Sequence, residues 1–147
     1  MKKILIITLE FPPHLGGIAT YVRYFSESLA TNEVVVLAPK YPGDKEYDKT
    51  LKVKVIRKNP YFPRFFWPRW LRLAWQIFWL AKQEKIEIIY LHHILPVGYV
   101  GWLMKKLLKI PYLIFSHGTD IEAGTRSTWK RRMLKKAASS SEQVIFN

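Results

Sequence analysis

The sequence predicts an α/β protein built on a doubly wound parallel sheet. Six short apolar runs recur along the chain, and helical patterns separate most of them. Each run is nearly continuous in Ile, Val, Leu and Phe, without polar alternation, which is typical of strands covered on both faces by helices. Strands and helices that alternate in this way join through right-handed crossovers, and ligands bind beyond the carboxyl ends of the strands.

The predicted elements follow one another in regular order. Strands are predicted at residues 4–9, 34–37, 53–56, 88–91, 112–115 and 144–146. The first helix begins at Gly16-Gly17, and its apolar residues recur every 3.6 positions, which gives one buried stripe. Further helices are predicted at residues 68–82, 96–108 and 128–138, and residues 40–50 are predicted to form an exposed loop.

Length and composition indicate one ordinary domain. The 147 residues fall within the usual size of a single domain, so residues 1–147 are treated as one unit. The hydrophobic content of 49% excludes a disordered chain. Because the sequence stops one residue after the last predicted strand, we expect the domain to be truncated at its C-terminal end, or to be the first part of a longer protein.

Charge and cysteine content restrict the partners and the compartment. The chain has 24 Lys and Arg against 11 Asp and Glu, a net charge of +13, which favours polyanionic partners such as phosphorylated substrates, anionic lipid or nucleic acid. Because cysteine is absent, disulfides, thiolate zinc sites and a thiol nucleophile are excluded, and we expect a cytoplasmic protein. The N-terminal apolar run at residues 4–7 is too short for a signal peptide, and the longest apolar stretch, residues 70–81, falls short of a spanning helix.

The strongest local motif runs from Glu10 to Gly17, between the first strand and the first helix. Two glycines let backbone N–H groups approach a ligand without interference from Cβ, and a helix N-terminus supplies unpaired donors and positive potential. Together they would hold a phosphate group. The alternative is that Gly16 and Gly17 only form a tight turn between strand and helix.

These residues resemble the GT4 retaining glycosyltransferases, which have the GT-B fold. That family opens with a strand, a Pro-Pro or similar loop and a Gly-Gly pair before a helix, matched here by Phe11-Pro12-Pro13 and Gly16-Gly17-Ile18. A later strand ends in a His-Gly element, matched by His117-Gly118. The resemblance covers essentially the whole chain and implies the Rossmann-like N-terminal, acceptor-side half of such an enzyme.

The resemblance assigns roles to matching positions. Gly16 and Gly17 are expected near the donor diphosphate, and His117 is expected beside the transferred sugar as the catalytic candidate. Glu10, His14 and Asp120 are candidates for acceptor binding. For His117 the alternative is a histidine at a strand end that is hydrogen-bonded to backbone.

The resemblance also implies partners and a missing part. The expected substrates are a nucleotide-sugar donor and a lipid-linked or saccharide acceptor, with no cofactor and no divalent metal. In this family the donor is bound mainly by a C-terminal domain, and none of its motifs follows Asn147. The chain by itself is therefore expected to be inactive.

Aromatic and basic residues are concentrated between positions 61 and 72. Tryptophan and arginine together suit a membrane interface, where rings lie at headgroup depth and guanidinium groups meet phosphates. This composition suggests an anionic membrane surface as a partner, which would place the protein on the inner face of the cell membrane. The alternative is that the aromatic rings pack internally. The membrane-contact candidates are Arg64, Trp67, Arg69, Trp70 and Arg72.

Two further functions have weaker support. His92 and His93 follow a strand, but adjacent side chains on extended backbone point in opposite directions and no carboxylate completes a metal shell, so no metal site is predicted. His93 remains a candidate to line the cleft. The rival to an enzyme is a non-catalytic basic module that binds a polyanion such as single-stranded nucleic acid or a membrane surface. Because no nucleic-acid-binding motif accompanies the charge, nucleic acid is not the expected partner.

Overall fold

The computed structural model describes residues 2–29, 31–65, 67–118 and 127–146, and within them one parallel sheet carries helices on both faces. The strands are β1 (Ile4–Ile7), β2 (Val34–Ala38), β3 (Lys54–Arg57), β4 (Ile88–Leu91), β5 (Tyr112–Ser116) and β6 (Gln143–Phe146). The helices are α1 (Gly17–Ser28), α2 (Asp44–Asp48), α3 (Leu71–Gln83), α4 (Val97–Leu108) and α5 (Thr128–Ser140).

The strand order confirms the predicted doubly wound α/β fold. The sheet runs β3-β2-β1-β4-β5-β6, and all the described neighbours are parallel. The chain builds outward from β1 to β3, then crosses back to place β4 on the other side of β1. Ile7 at the end of β1 therefore pairs with Leu91 at the end of β4. This reversal of direction is where such sheets open a ligand crevice beyond their carboxyl ends.

Two apolar layers hold the helices to the sheet. On one face α3, α4 and α5 bury Ile77, Met104 and Ala137 against the strands. On the other face α1 buries Val22 beside Phe11. Helix α4 comes especially close to the sheet, because a Cβ atom on Gly101 would lie 2.5 Å from Leu91 Cδ1. The strands whose ends face the crevice are thus fixed from both sides.

Two elements differ most from the sequence prediction, and the bounds of the others agree with it to within two residues. Residues 40–50 are not entirely loop, because they contain the five-residue helix α2, which is too short to show a helical period. Helix α3 begins at Leu71 and not at residue 68, because the amide of Leu71 bonds to the carbonyl of Pro68 at 3.2 Å and closes a tight turn there.

None of the helices in the described ranges has the length and apolar content that a bilayer crossing requires.

Candidate functional site

The candidate site lies at the carboxyl ends of β1, β4 and β5. Because these neighbouring strands are parallel, the segments that follow them meet at one edge of the sheet. Residues 8–16 follow β1, His92 and His93 follow β4, and His117 with Gly118 follows β5. Gly118 has φ +87, a left-handed conformation that favours glycine, so the chain turns immediately after His117.

Three histidines and a tyrosine form the centre of this rim. The ring of His117 stacks on that of His92 with centroids 5.7 Å apart, and the His93 ring lies 5.9 Å from His117. Tyr21 of α1 contacts His117 edge-on at 5.6 Å. Since Tyr21 is one turn beyond Gly17, the start of α1 and the His117 imidazole lie at the same rim. Sequence reasoning had not assigned a role to Tyr21 or His92.

His92 is the most deeply buried member of the cluster. Its side chain is fully buried, stacks on Phe115 at 4.7 Å, and neither ring nitrogen has a hydrogen-bond partner in the described structure. Burial, followed by the neighbouring His117 and His93, lowers the pKa of His92 to about 3. His92 therefore stays neutral throughout the physiological pH range.

The buried imidazole predicts a pH-dependent stability. In the unfolded chain the pKa of His92 returns to about 6.5. Between pH values of about 6.5 and about 3, His92 is protonated in the unfolded state and neutral in the folded state. The free energy of unfolding therefore falls as pH falls, by up to roughly 1.4 kcal/mol per pH unit. His92→Leu should remove about 2 kcal/mol of the difference between about pH 7.5 and about pH 5, measured by urea unfolding.

The matched control for this prediction is His14→Leu, which removes an exposed imidazole. Two His92 results would contradict the burial argument. One is a pH dependence in the His92→Leu variant as steep as that of the parent chain. The other is a stability at about pH 5 below that of the parent chain.

Gly16 and Gly17 open α1 without help from side chains. No side chain caps the helix, and its first turn has no acidic residue. The first amides of any α-helix lack intrahelical acceptors and point out of the helix end. In α1 no side chain of the cap residue replaces those acceptors. Gly16 is extended with φ 172, and a Cβ atom on Gly17 would meet nothing within 4 Å. The strand-to-helix turn by itself therefore does not require either glycine.

The loop that follows β1 brings two acceptor candidates beside the glycine pair. A Cβ atom on Gly16 would lie 3.5 Å from Glu10 Oε2 and 3.9 Å from His14 Cδ2. The His14 ring stacks on Tyr41 at 5.2 Å. Burial, with the Glu10 carboxylate as the second cause, raises the pKa of Tyr41. The third acceptor candidate, Asp120, lies outside the described residues.

Arg57, at the end of β3, holds this loop in place. Its guanidinium donates to the carbonyl of Pro12 at 2.5 Å and to Asp48 Oδ1 at 2.6 Å. It also donates to the carbonyl of Pro39 at 3.0 Å and lies over the ring of Phe11. Sequence reasoning missed this residue, because its partners are far away along the chain and a single Arg in a basic sequence is not distinctive.

The membrane-contact candidates differ in their exposure to solvent. Arg64, Trp67 and Arg69 are exposed, although Arg69 also donates to the carbonyl of Phe62. Arg72 is half-buried. Trp70 turns inward and packs edge-on against Tyr99 at 4.8 Å, so most of its ring faces the protein.

No group of three or more His, Cys, Asp or Glu residues in the described part of the chain has the arrangement of a metal site.

Comparison with known proteins identifies relatives over nearly the whole chain. A family model described as Glycosyltransferase Family 4 matches residues 15–147. An uncharacterized glycosyltransferase of Methanocaldococcus jannaschii is 28% identical over 146 residues, which is 99% of this chain and 40% of that protein. A GDP-mannose-dependent monoacylated alpha-(1-6)-phosphatidylinositol monomannoside mannosyltransferase of Corynebacterium glutamicum is 26% identical over 127 residues, which is 82% of this chain and 31% of that protein.

A solved structure shares the fold. The crystal structure of Anabaena HepE in complex with UDP and glucose superposes with a TM-score of 0.71 at 18% sequence identity, over 98% of this chain and 38% of that one. The chain therefore spans 31% to 40% of the length of these relatives.

Proposed function

The chain belongs to glycosyltransferase family 4, and from this premise we propose that it is the acceptor-side half of an enzyme that transfers a sugar from a nucleotide-sugar donor with retention of anomeric configuration. The donor class is supported by the relatives: the name of the corynebacterial protein specifies GDP-mannose, and HepE is described with UDP and glucose. The sugar and the nucleotide of this enzyme are left open.

The observation that carries this proposal is the common rim of the glycine pair and His117. The α1 amides that lack intrahelical partners lie within one turn of Tyr21, whose ring contacts that of His117. A diphosphate at the start of α1 would be stabilised by these amides and by the positive end of the helix dipole. The sugar attached to that diphosphate would then lie toward His117, which would hydrogen-bond it as it is transferred.

A bound ligand explains the two glycines better than the requirements of the turn do. Neither their backbone conformation nor the surrounding packing requires the absence of a side chain. The space beside Gly17 is open, so a ligand or a second domain would meet no side chain there. A side chain at that position would intrude between the amides and a bound diphosphate.

The acceptor is assigned to the loop that follows β1. Glu10 and His14 lie beside the glycine pair and would meet the acceptor, together with Asp120. The corynebacterial relative is named for an acylated phosphatidylinositol mannoside acceptor, which favours a lipid-linked acceptor over a free saccharide. Such an acceptor places the reaction at the cytoplasmic face of the membrane, in the assembly of cell-envelope glycans.

The donor site requires a second domain. The chain spans 31% to 40% of the length of its relatives, and we propose that a C-terminal domain binds most of the nucleotide. Closure of the two domains would exclude water from the transferred sugar. The chain alone should therefore have no transferase activity.

The test is a transfer assay on the full-length protein with a panel of nucleotide sugars and lipid-linked acceptors. We expect a product whose anomeric configuration, read by proton NMR, equals that of the donor. A product of inverted configuration would refute the retaining mechanism. Failure of every donor to react, with intact folding, would refute the proposed transfer itself. The isolated chain should give no product and serves as the control.

A further inference from the structure

Helix α3 presents an unusual outward face. Its buried residues Leu73, Ala74 and Ile77 pack on the sheet, whereas Leu71, Trp75 and Trp79 recur every fourth position on the opposite side. Trp75 is 67% exposed and Trp79 is 54% exposed, and their rings meet edge-on at 6.5 Å. We call these three residues, with the exposed Phe65 and Trp67 just before the helix, the α3 face.

A groove lies beside this face. It has a volume of about 940 Å³ between α3 and α4, and Trp75, Phe78, Leu103 and Leu107 form much of its apolar wall. Its charged lining residues are Lys58 and Arg72, and none of its described lining residues is acidic. An amphiphile with an apolar chain and an anionic head matches this arrangement.

The charge around the face has one sign. From residue 51 to residue 83 the sequence contains eight Lys and Arg and no Asp or Glu. Two of these cations are engaged elsewhere, since Lys54 pairs with Glu84 and Arg57 pairs with Asp48. Lys58, Arg64 and Arg69 are exposed, and Lys58 lines the groove together with Trp75. Negative phosphates would complement this surface, whereas a second copy of the chain would bring like charges together.

The face also lies near the candidate site. Residues 58–70 follow the carboxyl end of β3, so this segment and the start of α3 emerge at the same edge of the sheet as Gly16 and His117. The α3 face therefore begins at the rim that carries the candidate site.

We propose that the α3 face docks the protein on an anionic phospholipid bilayer, with Trp75 and Trp79 inserted at headgroup depth and Lys58 and Arg64 against lipid phosphates. Tryptophan prefers this depth, because its ring is apolar while its indole N–H remains near water. Basic residues add attraction to an anionic leaflet that salt screens. The docking does not depend on sugar transfer, so it can be tested on the chain whether or not the enzyme is active.

The experiment is sedimentation of the chain with vesicles of phosphatidylcholine, with and without phosphatidylglycerol. We expect binding to the mixed vesicles that weakens with added salt. Trp75→Ala/Trp79→Ala should weaken it by at least about tenfold. Lys58→Gln/Arg64→Gln should weaken it to a similar extent, at about fivefold per charge removed. The substituted side chains are exposed, so these variants should keep the parent melting temperature.

The matched controls lie on α5. Trp129 is 56% exposed, nearly the same as Trp79, and Lys130 and Lys135 are also exposed. Trp129→Ala therefore removes one tryptophan of the same exposure as Trp79, and Lys130→Gln/Lys135→Gln removes the same charge as Lys58→Gln/Arg64→Gln, from another surface. Equal losses in both sets of variants would overturn the proposal, and so would equal binding to pure phosphatidylcholine. A dimer in solution that Trp75→Ala/Trp79→Ala dissociates, with no vesicle binding, would assign the face to a second copy instead.

Discussion

The His117→Ala variant of the full-length enzyme is expected to lose about 100- to 1,000-fold in the kcat of sugar transfer. When the bond between the sugar and the diphosphate breaks, charge develops on the sugar. A hydrogen-bonding side chain fixed beside the sugar therefore acts mainly in the transition state. The imidazole of His117 packs against Tyr21 and His92, whose rings lie 5.6 and 5.7 Å away. Because such an interaction strengthens in the transition state, kcat should fall more than the KM of the donor rises.

A second histidine provides the comparison for this result. His14 is exposed and lies on the loop after β1, where we propose that the acceptor binds, so His14→Ala should mainly raise the KM of the acceptor. Circular dichroism melting of both variants separates a local effect from unfolding. A His117→Ala enzyme that folds normally and keeps near-parent kcat would remove the catalytic assignment, even if sugar transfer itself were intact.

The fold could be predicted largely because the strands are covered on both faces. Runs such as Ile4–Ile7 and Val34–Ala38 have no polar face to present, and only a sheet between two layers of helices buries them completely. Helix α2 escaped prediction because five residues are too few for a period, and its place depends on the ion pair between Asp48 and Arg57. Tertiary contacts of this kind leave no local pattern in the sequence.

The candidate site could be predicted only in part, for the same reason. Gly16, Gly17 and His117 stand in short motifs at the ends of strands, which sequence shows directly. Tyr21 and His92 become part of the site only because α1 and β4 bring them beside His117. The strand order that does this depends on the crossover from β3 to β4. One tryptophan was also misplaced, because the sequence favoured Trp70 as a surface residue while the structure turns it inward toward Tyr99.

The Arg57→Ala variant is expected to lose about 3–5 kcal/mol of folding free energy. The side chain of Arg57 is 8% exposed and that of Asp48 is 20% exposed, so removal of the guanidinium leaves a largely buried carboxylate without its partner. The carbonyls of Pro12 and Pro39 lose their donor as well. The free energy of unfolding of a domain is only about 5–15 kcal/mol, so this loss is a large share of it. Urea unfolding of the variant and the parent chain measures the difference.

A neighbour on the same strand tests whether burial causes the effect. Lys54 of β3 also makes an ion pair, with Glu84 at 2.6 Å, but the Lys54 side chain is 57% exposed and Glu84 keeps a second partner in Lys3 at 3.2 Å. Lys54→Ala should therefore cost no more than about 1 kcal/mol, since water screens the pair. Arg57→Lys should fall between the two, because it keeps a charge but not the forked pair of donors to Asp48. If Arg57→Ala and Lys54→Ala were equally mild, the buried guanidinium could not be what fixes the loop after β1.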